Sequence, residues 1–170
     1  MQAEFQIRRL EPADVEGYGE LRLEGLRLEP DAFGASLEEE LALGPEGFAD
    51  RLGPGRHTYG GFDGEMLAGT VAMVRGSQQK SRHKALLVGM YVRPAFRGRG
   101  LARRLIAHLL TQASLVDGLE MVQLAVGTSN AAAIRTYLAA GFEIYGTERH
   151  AMKIAGRYVD EHHMVRFLRA

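Results

Sequence analysis

Residues 97–102, Arg-Gly-Arg-Gly-Leu-Ala, have the composition of an anion-binding turn. They lie between an apolar run at 85–92 and a stretch with apolar residues at helical spacing, which begins at Leu101. A helix that starts there points unpaired backbone N–H groups and the positive end of its dipole at the turn. Glycine lets the main chain approach an anion closely because no Cβ intervenes, and arginine supplies opposing charge. The residues predict a phosphate cradle, and the expected cargo is a small molecule bearing a pyrophosphate.

An isolated loop of this kind could equally be an ordinary strand-to-helix connection. The charge pattern argues for the cradle. Residues 66–116 hold nine Lys or Arg and no Asp or Glu, residues 1–65 hold fifteen acids against six bases, and residues 117–170 hold six of each. A chain of zero formal net charge is thus polarised along its length, and its basic middle favours an anionic ligand. The acidic first third suggests either a cationic substrate on that side or solvated helix faces.

A second constellation follows at residues 129–142. Asn130 and Tyr137 are seven positions apart, so on a helix they share a face, roughly 10 Å apart along the axis. Ala131, Ala132 and Ala133 leave room for something narrow alongside, Ile134 and Leu138 are expected to face the core, and Gly141 to end the helix. Taken singly, Asn130 reads as a cap and Tyr137 as a half-buried aromatic. Taken with the cradle, they read as one wall of a binding groove.

These residues must be positioned by the elements around them. Strand patterns appear at 5–10, 57–62, 66–75, 85–92, 120–126, 142–150 and 158–168. Helix patterns appear at 11–29 (with Pro12 near the first turn), 37–52 (interrupted at Gly44-Pro45), 101–116 and 130–140. Asp63-Gly64 is the turn expected between the second and third strands, and 76–83 is a polar loop. The order β-α-α-β-β-β-α-β-α-β-β predicts an α/β (α+β) fold: a mixed, largely antiparallel sheet of six to seven strands flanked by about four helices. Length and a hydrophobic content of 46% suit a single domain over 1–170.

Composition excludes several chemistries. With no cysteine there is no disulfide framework, thiolate metal site or cysteine nucleophile. His162 and His163 are adjacent in a predicted strand, so they face opposite ways and cannot share an ion; no metal is expected. No Gly-x-Ser-x-Gly elbow supports serine hydrolase chemistry. The arginine cluster lacks interleaved aromatics and a basic overall balance, which argues against nucleic acid. The first twenty residues carry no hydrophobic leader segment and no apolar run reaches membrane-spanning length, so a soluble cytoplasmic protein is expected.

The two blocks together resemble the acetyl-CoA-binding core of the GNAT N-acetyltransferase superfamily. That family's Val-x-Pro followed by Arg/Gln-x-x-Gly-x-Gly/Ala reads here as Val92-Arg93-Pro94 and Arg97 to Ala102; its Asn-x-x-Ala, Tyr and Gly-Phe read as Asn130, Ala133, Tyr137 and Gly141-Phe142. The resemblance implies direct transfer of an acetyl group from acetyl-CoA to the primary amine of a small-molecule or peptide acceptor. Gly98, Arg99, Gly100, Leu101 and Ala102 would hold the pyrophosphate by their amides, with Arg97 and Arg99 balancing its charge. The pantetheine arm would add to the strand at Met90, Tyr91 and Val92, where Gly89 is expected to mark a bulge, and a strand N–H would stabilise the developing oxyanion. Asn130 and Ala133 would line the groove, and Tyr137 would act as general acid toward the CoA sulfur. Many relatives place an acid near Val88 and Gly89 as general base. This chain has none there, which leaves Glu24 or His57 through water, or an acceptor of low pKa. The alternative is a non-catalytic acetyl-CoA sensor. A homodimer is expected, if at all, through an exposed edge of the last strand.

Overall fold

Strands that are apolar on both faces and helices with one apolar stripe demand a sheet covered on each side. The computed structural model describes residues 5–168, so the reading of the chain start rests partly on residues outside those described. Its strands are β1 (Gln6–Arg9), β2 (His57–Asp63), β3 (Met66–Arg75), β4 (Lys84–Val92), β5 (Met121–Gly127), β6 (Glu143–Ile154) and β7 (Arg157–Phe167). They form one seven-stranded sheet in the order β1-β2-β3-β4-β5-β7-β6, in which β4–β5 is the parallel pair and the other neighbours are antiparallel. The α-helices are α1 (Val15–Leu28), α2 (Leu37–Asp50), α3 (Leu101–Ser114) and α4 (Ala131–Ala139). The expected class and element order are therefore found.

Helices α1 and α2 bury Tyr18, Leu21, Leu26 and Phe48 in one cluster that also takes Tyr91 from β4. Leu105, Ile106 and Leu109 of α3 and Tyr137 of α4 pack with Val71, Leu87 and Val122 of the sheet in the other. Burying a side chain of this size contributes about 1.5–3 kcal/mol each, so both layers hold the sheet in place. Among the described residues, no helix is long and apolar enough to cross a membrane.

Local departures from expectation have local causes. The β2–β3 turn is Gly64-Glu65 rather than Asp63-Gly64, because Asp63 pairs with Met66 and Gly64, at φ +61°, takes the left-handed position. The final hairpin closes tightly at Ala155-Gly156, so β6 and β7 pair out to Ile154 and Arg157 and β6 extends past 150. β7 lies between β5 and β6, so the last strand offers no free edge for a second copy; the sheet edges are β1 and β6.

One irregularity shapes the site. Thr70 pairs with Tyr91 and Ala72 with Val88, so Val71 faces two residues of β4, Gly89 and Met90. This is a bulge, and Gly89 occupies it at φ +61°, as expected of glycine there. The parallel β4–β5 pairing covers only Lys84–Leu86 against Met121–Gln123. Beyond it the two strands part, and among the described residues Met90–Val92 has no strand partner on that side.

Candidate active site

A cleft of about 440 Å³ opens where β4 leaves β5, walled by β4, the start of α3 and one face of α4. Met90, Tyr91, Val92, Arg97, Gly98, Gly100, Leu101, Ala102, Asn130, Ala133 and Tyr137 all line it, so two blocks some thirty residues apart meet across one groove. Arg99 is the exception.

The turn before α3 is built by its glycines. Gly98 at φ +74° and Gly100 at φ +80° hold left-handed backbone, and a Cβ on either would meet nothing within 4 Å. Backbone conformation, not packing, requires glycine there. No side chain caps α3; its first backbone bond runs from the Arg104 N–H to the Gly100 carbonyl at 3.2 Å. The amides ahead of it are thus presented to the cleft wall uncapped. At α4 the arrangement is different: Asn130 Oδ1 accepts from the Ala133 N–H at 3.2 Å, so this side chain is a helix cap standing in the wall.

The charge asymmetry read along the chain is folded back on itself. Arg93 pairs with Glu24, Arg97 with Glu29 at 3.0 Å and Arg99 with Asp63 at 3.3 Å. Arg99 also lies over the Phe5 and Phe96 rings, which turns its guanidinium out of the cleft. The acidic first third is used in part on these arginines, which weakens the case for a free cation-attracting field. Arg103 lines the cleft and has no ion pair among the described residues. Sequence reading passed over it; its position three residues past Gly100, in the first turn of α3, was the available signal.

Tyr137 is 6% exposed, packs edge-to-face on Phe142 and has no hydrogen-bond partner for its hydroxyl among the described residues. Burial pushes its pKa up, so the phenol is neutral at physiological pH. Leu138, expected in the core, is 47% exposed. The inward face of α4 follows the half-buried Ala133 and Ile134 and the buried Tyr137, and Leu138 lies about 100° further round.

Neither candidate base lines the cleft. Glu24 accepts from the Tyr91 hydroxyl at 3.0 Å and is ion-paired to Arg93, so its carboxylate is committed. His57 sits at the start of β2, where burial and then Arg9 lower its pKa. Val88 and Gly89 bring no carboxylate. Glu29, at the end of α1, is an acid that does line the cleft, held by Arg97; its sequence context gave no signal.

Residues 23–142 match the acetyltransferase (GNAT) family. The chain is 33% identical over 129 residues to the N-alpha-acetyltransferase RimI of Mycobacterium tuberculosis, covering 72% of this chain and 78% of that protein. It is 26% identical over 167 residues to the L-amino acid N-acetyltransferase AaaT of Escherichia coli, covering 96% and 98%. Its fold superimposes with a TM-score of 0.82 on yncA of Salmonella typhimurium, solved with its cofactor acetyl-CoA, at 21% identity over 98% of this chain and 95% of that one.

Proposed function

This chain belongs to the acetyltransferase (GNAT) family of acyltransferase enzymes, and from that membership we propose that it moves the acetyl group of acetyl-CoA directly onto the amine of a small-molecule or peptide acceptor. Curated relatives named as N-acetyltransferases do not favour a non-catalytic acetyl-CoA sensor. One observation carries the proposal. An uncapped helix start with two left-handed glycines, a strand segment with one free edge and a buried, unpartnered phenol line the same cleft.

Each part has a physical task. The main chain of Gly98–Ala102 holds the diphosphate, and open space beside Gly98 and Gly100 admits it. Arg103 faces it as the cation with no ion pair among the described residues, Arg97 faces it while also held by Glu29 and the Val92 carbonyl, and Arg99, held by Asp63 outside the cleft, contributes its amide. Met90–Val92 receives the pantetheine amides as an added strand, with Asn130 and Ala133 on the opposite wall. Acetyl-CoA supplies an activated thioester. A strand N–H beside the Gly89 bulge stabilises the charge that develops on the carbonyl oxygen. As the neutral acceptor nitrogen bonds to the acetyl carbon and the C–S bond breaks, Tyr137 gives its proton to the sulfur; the nitrogen releases its surplus proton to solvent, from which the phenol is reprotonated.

The test is CoA release with a panel of amines, with wild type and Tyr137→Phe side by side. Release by wild type and a large fall in the variant are expected. Tight acetyl-CoA binding without release by any amine would overturn the proposal.

A further inference from the structure

Where this strand lacks an acid, it faces two cations. A Cβ on Gly89 would lie 3.5 Å from an Nη of Arg56 and 3.7 Å from an Nη of Arg22. Gly89 directly precedes Met90 of the cleft wall, so both guanidiniums stand beside the splayed end of β4, adjoining the cleft without lining it.

Their surroundings leave them short of negative charge. Glu40, fully buried, is the carboxylate of this cluster. Arg51 binds it through two hydrogen bonds of 2.6 Å, and Arg22 adds a third at 3.1 Å. Arg56 has no ion pair, and its side chain makes no hydrogen bond among the described residues. The Nε atoms of Arg22 and Arg56 are both buried without a partner. Burial, together with the Arg51 and Arg22 charges, lowers the Arg56 pKa, yet a guanidinium stays protonated under such a shift. A half-buried guanidinium with a buried, unpartnered nitrogen and no counter-ion favours a ligand that supplies one. The rigid guanidinium fork fits a carboxylate.

We infer that Arg22 and Arg56 form a carboxylate subsite beside Gly89, and that the acceptor is a small zwitterion with its amine and carboxylate on one carbon. This rests on the acetyl-transfer reading above. The nitrogen and carboxylate carbon of such a molecule are about 2.5 Å apart, less than the roughly 3.8 Å step from Gly89 to Met90, so a carboxylate at the arginines keeps the amine at the thioester. The same subsite bears on the missing base. A lysine amine titrates near about 10.4, whereas an α-amine without a free neighbouring charge titrates near about 7.7–8.0. A carboxylate neutralised by guanidiniums leaves the amine close to the second case, with an appreciable neutral fraction at physiological pH. A peptide N-terminus, whose first carbonyl is uncharged, would leave both cations unanswered.

The experiment compares kcat and KM for free L-amino acids, their C-terminal amides, short peptides and a diamine, using wild type, Arg56→Gln, Arg56→Lys and Arg22→Gln. Wild type should prefer acids over amides by about ten- to a hundredfold in kcat/KM, the worth of a hydrogen bond to a charged group. Arg56→Gln should raise KM for the acids with little change in kcat and little change for the amides. Arg56→Lys should recover part of the preference. Because Arg56 lacks a partner, its removal should not lower the melting temperature. As a second readout, an N-acetyl-L-amino acid should bind the CoA-loaded protein more tightly than its amide does. Equal use of acids and amides by wild type would refute the subsite while leaving acetyl transfer intact. So would a loss in Arg56→Gln that is the same for both. Absence of CoA release with every amine would refute both readings.

Discussion

The Tyr91 hydroxyl donates to a Glu24 carboxylate oxygen at 3.0 Å, joining α1 to the end of β4 that has left β5. Arg93 holds the same carboxylate, so one acid fixes two residues of the strand beside the cleft. Burial, and then the Glu24 hydrogen bond, push the Tyr91 pKa up to about 12. This pair positions a wall of the cleft, and its hold on Glu24 argues against that carboxylate as the base.

Glu24→Gln should therefore destabilise the protein by about 1–3 kcal/mol, because charged hydrogen bonds are weakened, and leave the shape of the kcat/KM pH profile unchanged. A raised tyrosine pKa gives stability that is complete below the ordinary value near about 10 and is lost as pH rises through the folded value. Thermal melts from neutral to alkaline pH check the first point, and steady-state kinetics check the second. Loss of the acidic limb of the profile would show Glu24 to be the base after all.

Tyr137→Phe should lower kcat by about 10²–10⁴, the usual worth of a general acid, without weakening CoA binding. The neutral phenol is the active form, so activity falls only as pH rises through its folded pKa. Burial sets that value above the ordinary value of about 10. Wild type should show no basic limb from this group below that pH. Rapid-quench kinetics, together with calorimetric CoA titration, separate chemistry from binding.

The same Gly→Ala change should act with opposite sign at two helix starts. At Gly98 or Gly100, both at positive φ, alanine costs about 1–2 kcal/mol of strain and puts a methyl group in the open space proposed for the diphosphate; CoA affinity should drop about tenfold or more. Gly17, in the first turn of α1, has nothing within 4 Å of a Cβ and ordinary helical φ, so alanine there should stabilise by about 0.5–1 kcal/mol. Denaturant melts and CoA titrations of the three variants test this.

Glu40→Gln should cost about 3–5 kcal/mol, because it leaves the Arg51 and Arg22 charges buried and uncompensated. Burial alone would raise the Glu40 pKa; the hydrogen bonds and charges of Arg51 and Arg22 outweigh it and hold the pKa below the usual range. Its contribution is thus complete above about 4.3 and lost as pH falls through the lower folded value. Urea melts at descending pH should show wild type losing this advantage over Glu40→Gln.

What the sequence disclosed and what it hid divide along a physical line. The turn before α3 was legible because glycines at a strand–helix junction constrain the local backbone directly. Asn130 and Tyr137 were legible because helical periodicity fixes a shared face. Features that depend on contacts between distant segments were not. Nothing near Arg22 or Arg56 in the sequence shows that α1 and the chain before β2 bring both guanidiniums to Gly89. The Arg99–Asp63 pair and the insertion of β7 between β5 and β6 are likewise set by the assembled sheet. Leu138 and Tyr137 are neighbours on one helix, and only the cleft decides which of them turns inward.

The most direct test of the account is a crystal structure of the protein with acetyl-CoA. The diphosphate oxygens should lie about 3 Å from the amides of Gly98–Ala102, with the thioester sulfur beside the Tyr137 hydroxyl. A nucleotide bound on another face, or a diphosphate gripped by side chains with those amides left to water, would contradict it.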